Sequence, residues 1–357
     1  MFKKFAPISL IMVLVLSAAL LTGCGQSQPK DESQNAEPKT KVVVDASGAE
    51  VEIPAKIDRI VITCYGGAGQ EIALFGASQK VVAQPTSVGK FDQLLKMFPQ
   101  FKDIPDLGLG DEANLEEIAK ADPDLVIAGV FSPTGNKKIK DADIPVYSVL
   151  CSQADIETLK KEFQTMGTIF NEEQKAQKLV TYWDDTIKLI SDRVTNIPPE
   201  QRKKVYLMNG SAYETEGKAK WGQELIETAG GINVAAELGS ATKINDEQLM
   251  QWDPDVIISR NNANLSAAGI KKDPKFQDLK AVKNNQVYDN PMGAFWWDRP
   301  SPESPLGFLW LAKTLYPEAM HDIDLKAKTI EFYKEFYHYS LSDAEYTAFL
   351  NPGSASK

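Results

Sequence analysis

Residues 114–128 read NLEEIAKADPDLVIA and residues 245–259 read NDEQLMQWDPDVIIS, two copies of one pattern set 131 residues apart. Each copy decodes in the same way. Asn114 and Asn245 can cap a helix start, where a side-chain oxygen accepts an orphan N–H. Glu116 and Glu247 then fall in the first turn, where the helix dipole favours a negative charge. Asp-Pro-Asp stops the helix, because proline cannot continue it and restricts the residue before it. The apolar run that follows, LVIA or VIIS, suits a buried parallel strand. The chain therefore carries two similar α/β lobes, and a cleft between lobes is a common place for a small ligand.

Outward from the first copy, the chain alternates strand and helix. VVVDASGAEVEIP (42–54) alternates around Ser-Gly and reads as a hairpin. RIVIT (59–63), KVVAQ (80–84) and IPVYSVL (144–150) read as strands, with a helix through Glu71 to Phe75 and another from Asp155 to Ile169. From Asn171 a long amphipathic run carries Ala176, Leu179, Val180, Trp183, Ile187 and Ile190 at helical spacing, and Pro198-Pro199 closes it. VYLMN (205–209) opens the second lobe. A helix within 221–235 that ends at Gly230-Gly231, a strand at 286–291 and helices at 306–317 and 329–339 complete it. This order predicts mostly parallel sheets, whose ligands bind beyond the carboxyl ends of the strands. Three loops lie there: 64–67, 209–221 and 292–300.

The ends of the chain read differently. Lys3 and Lys4 precede an apolar run from Ile8 to Leu21, too short to span a bilayer comfortably, so residues 1–23 read as an export signal. Residues 25–40 hold no large apolar side chain and read as a tether. The formal charge is −10, and loss of Lys3 and Lys4 takes it to −12, which argues against nucleic acid or an anionic membrane surface as partner. With only His321 and His338 present, a bare metal site built from several histidines is not expected. No nucleotide P-loop, Gly-x-Ser-x-Gly elbow or His-Glu-x-x-His occurs, so an enzyme is not expected either. Cys64 and Cys151 each follow a strand of the first lobe. They could be inert buried thiols, a disulfide, or ligand contacts.

From about Val42 to Tyr346 the chain resembles the substrate-binding lipoproteins of ABC importers for iron-siderophores, haem and cobalamin. The residues that carry the resemblance are Asp45, Gly48, Val51, Ile53 and Pro54, then Arg59-Ile60-Val61, the segment from Glu71 to Val82, and the first repeat copy. The second lobe adds Ala229-Gly230-Gly231, Asn233-Val234, Glu247 and Asp253-Pro254-Asp255. The resemblance implies two Rossmann-like lobes joined by one long rigid helix, the class III binding-protein fold. It divides the chain into a signal peptide (1–23), a lipidated Cys24 with its tether (24–40), an N-terminal lobe (41–170), an interlobe helix (171–196), a C-terminal lobe (197–346) and a tail (347–357). Leu-Thr-Gly-Cys at 21–24 resembles a lipobox, which implies a lipid on Cys24 and anchorage to the outer face of the cell membrane. Glu116 and Glu247 match the two acidic residues that meet arginines on the permease.

The three cleft loops supply Tyr65, Tyr213, Trp221, Trp296, Trp297 and Arg299 as expected ligand contacts. Aromatic faces with one cation suit a large flat or anionic chelate, although Asp298 could pair with Arg299 and leave no charge free. The expected role is a monomeric, non-enzymatic carrier without an intrinsic cofactor. It would deliver an iron chelate to an ABC permease and its ATPase. Corrinoid, haem and an oxyanion such as molybdate remain open as cargo, and a ligand sensor or metal chaperone on the same scaffold is the alternative role.

Overall fold

The computed structural model describes residues 39–151, 154–218, 220–239, 243–260 and 265–352. The expected signal peptide, Cys24 and nearly all of the tether lie outside these residues. A hairpin of β1 (Thr40–Val44) and antiparallel β2 (Glu50–Pro54) opens the described chain. The first parallel sheet follows, made of β3 (Ile60–Ile62), β4 (Val81–Ala83), β5 (Leu125–Gly129) and β6 (Val146–Val149) in the order β4-β3-β5-β6. The second contains β7 (Lys204–Met208), β8 (Ile232–Asn233), β9 (Val256–Ser259) and β10 (Val287–Asp289) in the order β10-β9-β7-β8. Read from its other edge it is β8-β7-β9-β10, so the two sheets share one topology. The fold is α/β, with two parallel-sheet lobes as expected.

The repeat explains how each sheet is pinned. Asn114 accepts the N–H groups of Glu116 and Glu117 at 3.1 and 3.2 Å, and Asn245 accepts that of Gln248 at 2.8 Å. The helices end at Lys120 and Trp252, before the prolines are reached. Asp122 and Asp253 take left-handed backbone, φ +47° and +40°. Each precedes a proline, which disfavours right-handed helix there, and Asp tolerates the left-handed alternative better than most residues. The second Asp of each triplet then acts as a clip. Asp124 Oδ2 accepts the N–H groups of Asp58 and Arg59 at 2.7 and 2.9 Å, at the start of β3. Asp255 Oδ2 accepts that of Lys204 at 2.8 Å, at the start of β7. Each clip fixes the register of the two central strands of its sheet.

A single helix, Glu173–Val194, joins the lobes and spans 22 residues, about 33 Å at 1.5 Å per residue. It buries Ala176, Leu179, Val180, Trp183, Ile190 and Val194. Trp183 is the meeting point. Its ring lies 5.6 Å from Phe163 of the first lobe, and 6.2 and 5.7 Å from Trp221 and Phe308 of the second. One apolar core therefore runs through both lobes, from Ile62 to Leu207, and everything from Lys39 onward forms one compact unit. Two expected elements differ. The helix opening at Trp221, expected to end at Gly230-Gly231, closes at Thr228, two residues earlier, because Gly230 at φ +83° reverses the chain and Ile232-Asn233 joins the sheet as β8. A further helix, Asp343–Phe349, extends past the expected lobe boundary at 346 and buries Phe349. No helix of the described residues is long and apolar enough to cross a membrane.

Candidate functional site

The carboxyl ends of both sheets face a seam between the lobes. The 64–67 loop, with the first turn of the helix Ala68–Leu74 that follows it, and the 292–301 loop meet there. Gly67, at φ +89°, passes so close to the opposite loop that a Cβ would lie 3.1 Å from the Pro300 carbonyl oxygen. Gln70 Nε2 donates to the Ala294 carbonyl at 2.8 Å, buried in the seam. Phe91 of the first lobe packs 5.0 and 4.7 Å from Phe295 and Trp296. The 292–301 loop is thus inserted against the first lobe.

Tyr65, Trp296 and Arg299 come together at this seam. Tyr65 is 36 % exposed and its ring centre lies 6.4 Å from Trp296. The Arg299 guanidinium carbon sits 3.9 Å above the Trp296 ring, a cation–π contact. Burial pushes the Tyr65 hydroxyl above its ordinary range, partly offset by Arg299. Burial also lowers the Arg299 value, against the pull of Asp298. Its Nη1 is buried and has no hydrogen-bond partner among the described residues.

Asp298 is already committed elsewhere. It is fully buried and bonds Arg260 Nε through Oδ2, while its Oδ1 accepts Asn290 Nδ2 at 2.8 Å. Arg260 also bonds both Glu216 oxygens, and Glu216 Oε2 accepts the Gly222 N–H at 2.9 Å. Burial alone would lower the Arg260 value, but the Asp298 and Glu216 carboxylates outweigh it and raise it. The ion pair that Asp298 could have made with Arg299 is therefore replaced by one with Arg260, and Arg299 keeps Nη1 free of a partner among the described residues. Arg260 follows β9 directly, at the strand end where ligands of parallel sheets bind. That position could have pointed to it; the sequence reading named only the three longer loops.

The other expected contacts lie elsewhere. Trp221 is 3 % exposed, with its ring 6.0 Å from Phe308 and nearly parallel to it, so it belongs to the interlobe core. Trp297 is fully buried and donates its Nε1 to Glu303 at 3.1 Å. Both rings are taken from the cleft by the same cause: a large apolar face gains most by full burial. Tyr213 turns to its own lobe, bonding Asp246 and packing 6.2 Å from Phe276, and its hydroxyl is pushed up to about 12 by burial and by Asp246.

The first lobe contributes a different edge. Cys64, Cys151, Glu71 and Glu162 are all buried beneath the Tyr65 loop. Glu162 Oε2 accepts the Leu150 N–H at 2.6 Å, yet burial raises its carboxyl to about 8. Burial, then Glu162 and Cys64, push the Glu71 carboxyl well up. Both cysteines are free thiols. No group of three or more His, Cys, Asp or Glu among the described residues is arranged to hold a metal ion. Glu116 and Glu247 are exposed in the first turns of equivalent helices.

This architecture is shared with known proteins. Residues 60–292 match the sequence profile of the periplasmic binding protein family. The chain is 25 % identical to the molybdate-binding protein MolA of Haemophilus influenzae, over 84 % of this chain and 92 % of that one. It is 23 % identical to the Fe(3+)-citrate-binding protein YfmC of Bacillus subtilis, over 79 % and 88 % respectively. Its fold superimposes on a periplasmic solute-binding protein of Veillonella parvula with a TM-score of 0.79 and 29 % identity, covering 87 % of this chain and 97 % of that one. The twin sheets, the single connecting helix and the profile match agree: this chain belongs to the periplasmic binding protein family, the non-enzymatic substrate-binding components of ABC importers.

Proposed function

We propose that the seam captures an anionic, oxygen-rich metal species, an iron chelate bearing carboxylates, and presents it to an ABC permease. The observation that carries this reading is Arg299, held over Trp296 at the seam with a buried Nη1 that no group among the described residues satisfies. A buried unpaired donor is costly, and a ligand oxygen would relieve it through a charge-assisted hydrogen bond. Tyr65, exposed beside it, adds a second donor. Arg299, Arg260, Asp298 and Glu216 sum to zero formal charge. The site therefore recognises acceptor oxygens at short range and is not a diffuse basic patch. A flat macrocycle finds little support, since Trp221 and Trp297 are in the core and Arg299 covers a face of Trp296. A compact oxyanion such as molybdate is the second reading. The small aromatic surface favours it, as does similarity to a molybdate-binding relative.

Titration of the purified chain with ferric citrate, molybdate and haem, followed by tryptophan fluorescence, separates these readings, because Trp296 is half-buried at the site. Arg299→Gln should weaken the anion that binds by about 1.5–3 kcal/mol, the range for a hydrogen bond to a charged group. Unchanged affinity with the fold intact removes Arg299 from the site. Delivery rests on the exposed pair Glu116 and Glu247, proposed to meet permease arginines, and on a lipid on Cys24. The double change to Arg at both glutamates should spare binding and impair uptake. Cys24→Ser should release the protein from the membrane.

A further inference from the structure

Cys64 and Cys151 stand 87 positions apart in the sequence, yet they meet at the end of the first sheet. Each lies two residues past its strand, Cys64 after β3 and Cys151 after β6. Strand β5 separates those two strands and ends in Gly129, which carries no side chain to keep the thiols apart. Hydrogen bonding to the neighbouring Cys64 thiol, then burial, holds the Cys151 thiol well above its ordinary range. Both residues are buried, 0 % and 5 % exposed, and both are free thiols. Cys151 holds left-handed backbone, φ +50°, which turns it back across the sheet end. The loop above them carries Tyr65. A Cβ on Gly66 would sit 3.6 Å from that of Cys151, so the loop rests on this residue.

We propose that Cys64 and Cys151 are a disulfide-forming pair, which in the extracytoplasmic space closes to staple the Tyr65 loop of the cleft to the end of β6. Two thiols in contact and far apart in sequence are what a disulfide joins with little backbone movement. The compartment in which this family works is oxidising enough for the bond to persist. In the closing step each thiol loses a proton and the pair gives up two electrons. The acceptor is the disulfide of an extracytoplasmic thiol oxidoreductase, which leaves as a dithiol. The new S–S bond replaces the thiol–thiol hydrogen bond and encloses a loop long enough to restrict the unfolded chain strongly. Cys64 itself, burial and the nearby Glu162 and Glu71 disfavour a thiolate at Cys151, so in the folded chain the closed bond resists attack by outside thiols, and once opened it re-forms only with a catalyst.

The test is a thiol map of the full chain isolated from its own cells without reductant, denatured in acid and alkylated with a maleimide. The expected result is that the Cys64 and Cys151 peptides escape alkylation and are recovered as one linked pair, two hydrogens lighter than their sum. Unfolding in dithiothreitol, which exposes the bond, should return both to full alkylation, and the chain refolded in the same reductant should melt several degrees lower. The Cys64→Ser chain should leave Cys151 fully alkylated. Complete alkylation of both cysteines in the untreated wild-type chain overturns the proposal, even if diamide can close the bond afterwards. Recovery of either cysteine joined to a small thiol overturns it as well.

Discussion

The two sheets have one topology and opposite chemistry at their cleft ends. Aligned by strand register, Cys64 of the first lobe corresponds to Asn209 of the second, and Cys151 to Met292. The same alignment makes Gly129, at the end of β5, the counterpart of Arg260, just past β9. The first lobe thus ends in thiols and in two buried carboxyls that burial raises, a dry edge without a cation among the described residues. The second ends in a buried arginine between two carboxylates, with Arg299 left over. The repeated helix–Asp-Pro-Asp–strand unit lies at the other ends of these strands, and there the lobes agree in detail. The scaffold is duplicated where it holds the sheet together and diverges where it meets the ligand. Stability and recognition are therefore separable in this molecule by position along each strand.

The contrast is broken most severely at Arg260. Arg260→Ala leaves the buried Asp298 and the partly buried Glu216 without their cation, and should destabilise the chain by about 3–5 kcal/mol, read from urea unfolding. Gly129→Ala, at the matching place in the first lobe, should do far less through charge, although its Cβ meets the Phe131 ring at 2.5 Å and that ring must move. Stability of the Arg260 variant close to wild type would show that the second edge is not held by its ions.

A pH series sharpens the comparison next. Glu162 is raised to about 8 in the first lobe, and Glu303 to about 7 in the second, both chiefly by burial. Glu303 accepts from Trp297, Tyr333 and Tyr337, and these bonds only partly offset its burial. Unfolded, both would titrate near an ordinary glutamate, about 4.3. Their folded values are higher, so their stabilisation is full below that value and is lost as pH rises, until about 8 for Glu162 and 7 for Glu303. The slope is on the order of 1 kcal/mol per pH unit for each group. Glu162→Gln and Glu303→Gln should each flatten the fall in unfolding free energy between pH 5 and 8. A wild-type chain whose stability is level across that range contradicts the burial of both carboxyls.

The duplicated parts should answer alike. Asp124→Asn and Asp255→Asn each weaken the hydrogen bonds that start β3 or β7, and each should lose about 1.5–3 kcal/mol in chemical denaturation. The smallest effects belong to the caps. Asn114→Ala and Asn245→Ala should each lower stability by about 1 kcal/mol. Asn114 serves two N–H groups and Asn245 one, so the first should lose slightly more. A large disparity within either pair would mean that the repeat is a likeness of sequence without a shared mechanical role.

The repeat was legible because its signals are local. A cap, an Asp-Pro-Asp stop and a short apolar run each act on neighbours in the chain, and together they announced two lobes and their parallel sheets; the single connecting helix was implied by the family resemblance and matched the amphipathic run from Asn171. The loops at the strand ends were legible for the same reason, since topology alone places them. Which side chains in those loops face the seam depends on competition between distant groups, and sequence holds no distances. Trp221 and Trp297 were as plausible as Trp296 until Trp183, Phe308 and Glu303 drew them inward. Arg299 was left available because Arg260, 39 positions earlier, had taken Asp298. By itself the sequence determined the scaffold, through short-range backbone chemistry. The tertiary structure decided the site, because burial and ion pairing are settled only when all the candidates occupy one space.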